Sequence, residues 1–250
     1  MRNALDWKPT KFVKVRGRLR ATSNRSHLAP QSRIVAQLVA DVYEEALQKH
    51  VCGALLDLGC GLVPLYGEYS AYASSVVTGD WPMSHHAQPH TDIFLNLGEG
   101  LPIGDGTFDT ILLSDVLEHV SQPERVWSEA HRVLRPGGKI IGNTPFLYPI
   151  HEEPHDFFRY TEYAIRNFAV GAGFEVEELV AVGGYVELIG DLVAKGVAQG
   201  GAIGRVIAVL TAKAVLGFSQ TSFGRRVREK SSRKFPLGYL FVASKPVGCE

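Results

Sequence analysis

Residues 54–61 read Ala-Leu-Leu-Asp-Leu-Gly-Cys-Gly, and this stretch constrains the fold more than any other. An apolar run with strand character meets an acid, then two glycines separated by one residue. The backbone must leave a buried strand and turn sharply. Gly59 and Gly61 carry no Cβ to obstruct that turn or a ligand lying on it. A turn of this kind, at the carboxyl end of the first strand of an open α/β sheet, is where nucleotide-like ligands sit. Gly-x-Gly also occurs in turns that bind nothing, so the neighbouring residues have to decide. Pro64 stands where a dinucleotide fingerprint has its third glycine, which argues against an NAD or FAD site.

The rest of the chain supplies the sheet that such a turn needs. Ile34, Val35, Leu38, Val39, Val42 and Leu47 recur near helical spacing, which predicts an amphipathic helix over 30–49 ahead of a strand at 54–58. A short helix at 66–73 leads to a second strand at 75–80. Its last residue, Asp80, lies 23 positions after Asp57, where an acid reaches the ribose hydroxyls of a nucleoside over the turn. Further strands are predicted at 93–97, 108–114, 139–144, 174–181 and 238–244. A helix at 124–134 ends at Pro136, Gly137 and Gly138, and Thr161 caps another that runs to Phe168. Strands alternating with helices predict an α/β fold around a twisted sheet.

Lys and Arg number 26 against 26 Asp and Glu, so no overall field favours nucleic acid. Locally the charge is uneven. Residues 1–29 form a basic stretch (Arg2, Lys8, Lys11, Lys14, Arg16, Arg18, Arg20, Arg25) that reads as an arm or a mobile cover. Residues 183–236 read as a helical insertion or lid with a second basic cluster at Arg225, Arg226, Arg228, Lys230, Arg233 and Lys234. Ile203, Val206, Ile207, Leu210 and Ala214 share one helical stripe. It packs on the core or a partner chain, or it lies on an anionic membrane surface around 200–235. Arg205 and Lys213 interrupt the segment, and the absence of a run of about 18 uncharged apolar residues argues against a spanning helix. Cys52, Cys60 and Cys249 have neither metal-ligand spacing nor an even disulfide framework, and the N-terminus lacks a secretory apolar core. Both fit a cytoplasmic chain, at most peripheral to a membrane. His85, His86 and His90 fall in a loop and read as exposed side chains rather than a metal set.

Four stretches, in this order, resemble the class I S-adenosylmethionine (SAM)-dependent methyltransferases, in their type 11-like branch. Residues 55–61 resemble the first motif, and Asp80 its ribose-binding acid. Leu101 and Pro102 with residues 108–119 resemble the third and fourth motifs, and residues 132–138 the segment before the fifth strand. The tract 145–161 interleaves aromatics, histidines and carboxylates, and resembles a subgroup found near sugar and cell-envelope biosynthesis. The resemblance implies a Rossmann-like, seven-stranded, mostly parallel sheet with helices on both faces. It implies a SAM-binding core over 30–182, the helical insertion at 183–236, and the last strand with a tail at 237–250. It further implies that Asp57, Gly59, Cys60 and Gly61 lie under the methionine part of SAM. Asp80 would take the ribose hydroxyls, Asn96 and Leu97 would lie beside the adenine, and Ser114 would face the sulfonium.

Methyl transfer from a sulfonium is an in-line displacement, and a hydroxyl acceptor needs a base in reach. His151, His155 and Asp156 follow the fifth strand on the methyl side, with His155 the first candidate. An alternative uses a metal. Asp115, Glu118 and His119 stand at i, i+3 and i+4, so on a helix they share a face; with His155 they offer ligands for a divalent ion such as Mg²⁺. The expected activity is methyl transfer to an oxygen of a small molecule, with a sugar or lipid-linked saccharide as the acceptor class. The alternatives are a nitrogen or nucleic-acid methyltransferase, and a SAM-fold binding protein without turnover. The basic arm favours nucleic acid, but no Asn-Pro-Pro-Tyr-type motif follows the fourth strand. Oligomeric state is left open.

Overall fold

The computed structural model describes residues 1–84 and 88–248; His85, His86 and Cys249 lie outside them. In chain order its elements are β1 (Phe12–Val15), β2 (Arg18–Ala21), α1 (Arg33–His50), β3 (Ala54–Leu58), α2 (Tyr66–Tyr69), β4 (Ser75–Asp80), β5 (Ile93–Phe94), β6 (Phe108–Ser114), α3 (Pro123–Val133), β7 (Leu134–Pro145), α4 (Glu162–Gly171), β8 (Glu175–Val182), α5 (Tyr185–Ala198), α6 (Gly201–Gln220), α7 (Ser222–Ser231) and β9 (Gly238–Ser244). Seven strands form one sheet in the order β5-β4-β3-β6-β7-β9-β8, and β1-β2 form a separate hairpin. Among the described residues of the seven-stranded sheet, β9 alone points opposite to the other strands. The α/β, Rossmann-like, mostly parallel sheet implied by the sequence is therefore present, helical insertion included.

The strand order reverses beside β3. The chain leaves it outward through β4 to β5, then returns to β6 on its other side. A crevice opens at the carboxyl ends of the strands at such a point. Alternating side chains feed two cores, which is why the strands read as continuous apolar runs. Leu55 enters one core, and Leu56 and Leu58 the other; β9 splits Leu240 and Val242 from Tyr239, Phe241 and Ala243. α1 covers the first face with Ile34, Leu38, Tyr43 and Leu47, while α3 and α4 cover the second with Val126, Trp127 and Ile165. Thr161 caps α4 as expected, accepting the Ala164 N–H at 3.2 Å.

Several local expectations are corrected. The basic arm holds a hairpin that packs on the core. Arg16 and Gly17, with φ of 53° and 78°, make a tight turn between β1 and β2. Phe12 and Leu19 are buried. The hairpin's cations pair with the core: Arg18 with Glu44 at 2.8 Å, Arg20 with Asp41 at 2.8 Å, and Lys14 with Glu68 at 3.1 Å. The strand predicted at 93–97 shortens to β5, because Asn96 turns the chain by accepting the Gly98 N–H at 3.0 Å. The stop predicted at 136–138 is absorbed into β7, opposite an irregularity between Phe108 and Thr110. Most consequential, the 203–214 stripe does not pack on the core: Ile203, Val206, Ile207 and Leu210 are exposed, and Gly204, Ala208 and Ala212 face inward. Gly204 lies so close to α5 that a Cβ there would stand 1.9 Å from the Val197 carbonyl oxygen. By length and composition α6 is also long and apolar enough to cross a membrane, its two charges notwithstanding.

Candidate active site

The carboxyl ends of β3, β4 and β6 frame a cleft of about 610 Å³, within the usual range for small-molecule sites. Its floor is the glycine turn. Gly59 and Gly61 have φ of 69° and 50°, the left-handed region. The Gly59 and Cys60 N–H groups both donate to the Gly79 carbonyl, at 2.8 and 3.2 Å, which pins the turn to the end of β4. A Cβ on Gly59 would stand 2.5 Å from Val116 Cγ2. Asp80 accepts the Gly61 N–H on Oδ2 at 2.9 Å and the Trp81 N–H on Oδ1 at 2.7 Å. Each oxygen keeps further acceptor capacity for a ligand hydroxyl.

Beneath the turn, Asp57 is buried and accepts the Tyr69 hydroxyl at 2.8 Å. Burial pushes its carboxyl up to about 7; the Tyr69 bond opposes this and the Asp80 charge adds to it. Burial, then the Asp57 charge, push the Cys60 thiol up as well, so it stays protonated and is no nucleophile. Asn96 holds its turn by donating to Glu99 at 3.1 Å. All eight residues expected around a cofactor, namely Asp57, Gly59, Cys60, Gly61, Asp80, Asn96, Leu97 and Ser114, line this one cleft.

The opposite wall comes from the segment after β6 and the loop after β7. Asp115 has a φ of 54°, so residues 115–119 are not one helix; only Leu117–His119 form a 3-10 turn. That geometry corrects the expected metal set. The Asp115 carboxylate turns to the Asn143 amide and lies 3.6 Å from Lys11 Nζ. Glu118 and His119 instead meet His151, their ligand atoms all within 4.8 Å of one another, and His155 is not in the group. Glu118 is fully buried, and neither carboxylate oxygen has a hydrogen-bond partner among the described residues. Burial first, and the Asp115 charge second, raise its carboxyl well above the usual range. His119 Nδ1 donates to the His155 carbonyl at 2.6 Å, which leaves the Nε2 lone pair 3.7 Å from Glu118 Oε1. His151 Nε2 lies 3.9 Å from the same oxygen.

The three expected catalytic side chains separate. Arg159 grips both Asp156 oxygens at 2.6 Å and holds that carboxyl well below the usual range. Asp156 also accepts the His151 N–H at 2.8 Å, so it orders the loop and has no basicity to offer a substrate. His151 faces a neighbouring pocket of about 360 Å³ with Tyr148 and Lys195. Burial, then His119, lower its pKa. Only His155 lines the main cleft, its ring edge-on to Trp81 at 5.1 Å. Sequence reasoning missed Thr10, Lys11 and His27, which bring the N-terminal segment onto the cleft, and also Trp81 and Glu152. The hairpin was detectable: Val-Lys-Val-Arg-Gly-Arg-Leu alternates around an Arg-Gly turn.

Residues 56–142 match the family Methyltransf_11, described as a methyltransferase domain. An uncharacterised 37.1 kDa protein of transposon TN4556 from Streptomyces fradiae is 29% identical over 174 residues, 59% of this chain and 50% of that one. An uncharacterised methyltransferase of Mycobacterium sp. (strain KMS) is 32% identical over 121 residues, 46% of this chain and 48% of that one. The chain thus spans about half the length of these curated relatives. Among solved structures, a SAM-dependent methyltransferase from Mesorhizobium loti aligns with a TM-score of 0.51 at 18% identity, over 83% of this chain and 99% of that one. The [4+2]-cyclase SpnF aligns with a TM-score of 0.53 at 20% identity, over 85% and 83%. Residues 56–142 are therefore similar to a methyltransferase domain, and the chain shares its fold with the SAM-dependent methyltransferase from Mesorhizobium loti.

Proposed function

We propose that this chain transfers a methyl group from SAM to an oxygen of a small acceptor, with a sugar or lipid-linked saccharide as the acceptor class. One observation carries the reading: a single cleft sets bare backbone and Asp80 on one side and His155 on the other. Bound SAM supplies an electrophilic methyl on a sulfonium. Asp80 would accept its ribose hydroxyls, the turn at Gly59 and Gly61 would take the methionine part, and Asn96 and Leu97 would border the base. His155 accepts the acceptor's hydroxyl proton on its imidazole. Trp81 and Phe157 flank that ring, with centroids 5.1 and 6.3 Å away. The adjacent pocket, with Tyr148, Gln31, Ser32 and Gln199, offers an aromatic face and hydrogen-bonding groups suited to a polyhydroxylated ring. The test incubates the protein with SAM and candidate acceptors and reads the product by mass spectrometry. His155→Gln should lower kcat by about 10²–10⁴-fold with SAM affinity retained; unchanged turnover removes His155 from the reaction.

Glu118 favours a second reading. A buried carboxylate without a hydrogen-bond partner among the described residues, beside two imidazoles, is a ligand set for a divalent ion. Two histidines and one carboxylate suit Zn²⁺ or Mn²⁺ better than Mg²⁺. Full turnover after exhaustive chelation rules this reading out.

A further inference from the structure

Helix α6 turns the usual order of a surface helix around. Its inner face is small: Gly204, Ala208, Ala212 and Ser219 are buried. Its outer face is large and apolar, with Ile203, Val206, Ile207 and Leu210 exposed by 75, 54, 43 and 58%. Those four positions fall on one stripe of a 3.6-residue period. Phe223 on α7 adds a ring that is 68% exposed. A contiguous apolar face of this kind marks a surface meant to be covered.

Charge says by what. Residues 183–236 hold nine Lys and Arg against three acids, in a chain that is neutral as a whole. Two of the acids are buried and already paired, Glu187 with Arg228 and Asp191 with Lys195. What remains exposed is Arg205, Lys213, Arg225, Arg226, Lys230, Arg233 and Lys234 against Glu229. We propose that α6 and α7 form a docking surface for an anionic lipid bilayer. α6 lies in the plane of the interface with its four large residues among the acyl chains, and the cations of α7 meet the lipid phosphates. A second copy of the chain fits less well, because a two-fold contact would set one cationic rim against the same rim. The docking surface does not depend on the proposed reaction. It does bear on where an acceptor arrives: Ala198 and Gln199, at the α5–α6 turn, line the pocket that holds His151 and Tyr148.

The experiment is flotation of the full chain with vesicles of phosphatidylcholine alone and of phosphatidylcholine mixed with phosphatidylglycerol. Binding is expected on the anionic vesicles only, and should weaken as salt rises. Each cation near such a surface strengthens binding about fivefold, so Arg225→Ala with Arg226→Ala should weaken it about 30-fold. Ile207→Asp with Leu210→Asp should weaken it by more than about 100-fold, from the apolar area lost to the acyl region. Circular dichroism melts check that each variant folds, and the lipid and salt series in the unaltered protein test the proposal without any variant. Equal binding to neutral vesicles, no binding to either, or full binding by the Asp variant overturns it. So does a dimer in sedimentation that Leu210→Asp dissociates, since the face is then covered by a second copy. SAM binding measured alongside reports separately on the reaction.

Discussion

Asp57 offers the most quantitative test of the site. It is enclosed beneath the glycine turn, and burial pushes its carboxyl up to about 7 against the pull of the Tyr69 hydroxyl. In the unfolded chain the same group titrates at about 3.9. The folded state therefore holds the proton more tightly, and the fold favours the neutral acid. The stability this contributes is complete below about pH 4 and is lost as pH rises through about 7. Three pKa units amount to about 4 kcal/mol. Asp57→Asn keeps an oxygen for the Tyr69 hydroxyl and removes the titration. Urea unfolding of both proteins across this range should show the variant gaining on the wild type by about 1.4 kcal/mol per pH unit up to about pH 7, then levelling. Taking the difference cancels groups that titrate alike in both, Glu118 among them. Parallel curves would refute the reasoning. The same carboxyl predicts that a sulfonium in the cleft, being cationic, expels its proton. Calorimetry of SAM binding in buffers of different ionisation enthalpy should show proton release near neutral pH in the wild type and less in the variant.

Three further outcomes are expected. Asp80→Ala should weaken SAM binding by about 10–150-fold, the loss of charged hydrogen bonds worth about 1.5–3 kcal/mol; an unchanged calorimetric affinity would sink the cofactor assignment. Gly59→Ala places a methyl 2.5 Å from Val116 at a φ of 69°, and should destabilise the fold by about 1–3 kcal/mol in thermal melts. Leu19→Ala, which opens the buried seam under the hairpin, should cost about 2–5 kcal/mol and make residues 1–25 the first site of limited proteolysis.

The sheet was legible because its strands are apolar on both faces and its turns carry Gly, Asp or Asn at their ends. Residues 54–61 and Asp80 were legible for the same reason: a sharp turn beside a ligand permits few residue types. The second wall was not. Helical spacing for Asp115, Glu118 and His119 assumed a regular φ, and Asp115 breaks that at 54°. The partnership of Glu118 with His151 spans α3, β7 and a loop, and no local pattern encodes it. Periodicity found the stripe on α6 but carried no sign of which side faces the core. Packing decided that: Gly204, Ala208 and Ala212 permit a closer approach than Ile203 or Leu210 would. The N-terminal hairpin was hard to read because each strand is only four residues long and carries Lys or Arg among its apolar residues.

β9 comes last of the seven strands in chain order yet sits between β7 and β8, hydrogen-bonded to both. During synthesis β8 would emerge with no neighbour to pair with, and α5, α6 and α7 would follow before its partner existed. The strands that frame the cleft are all present in the chain by Pro145, whereas the other half of the sheet lacks its central strand until residues 238–244. A chain cut before Gly238 would keep its glycine turn but present two raw strand edges, an invitation to pair with other chains.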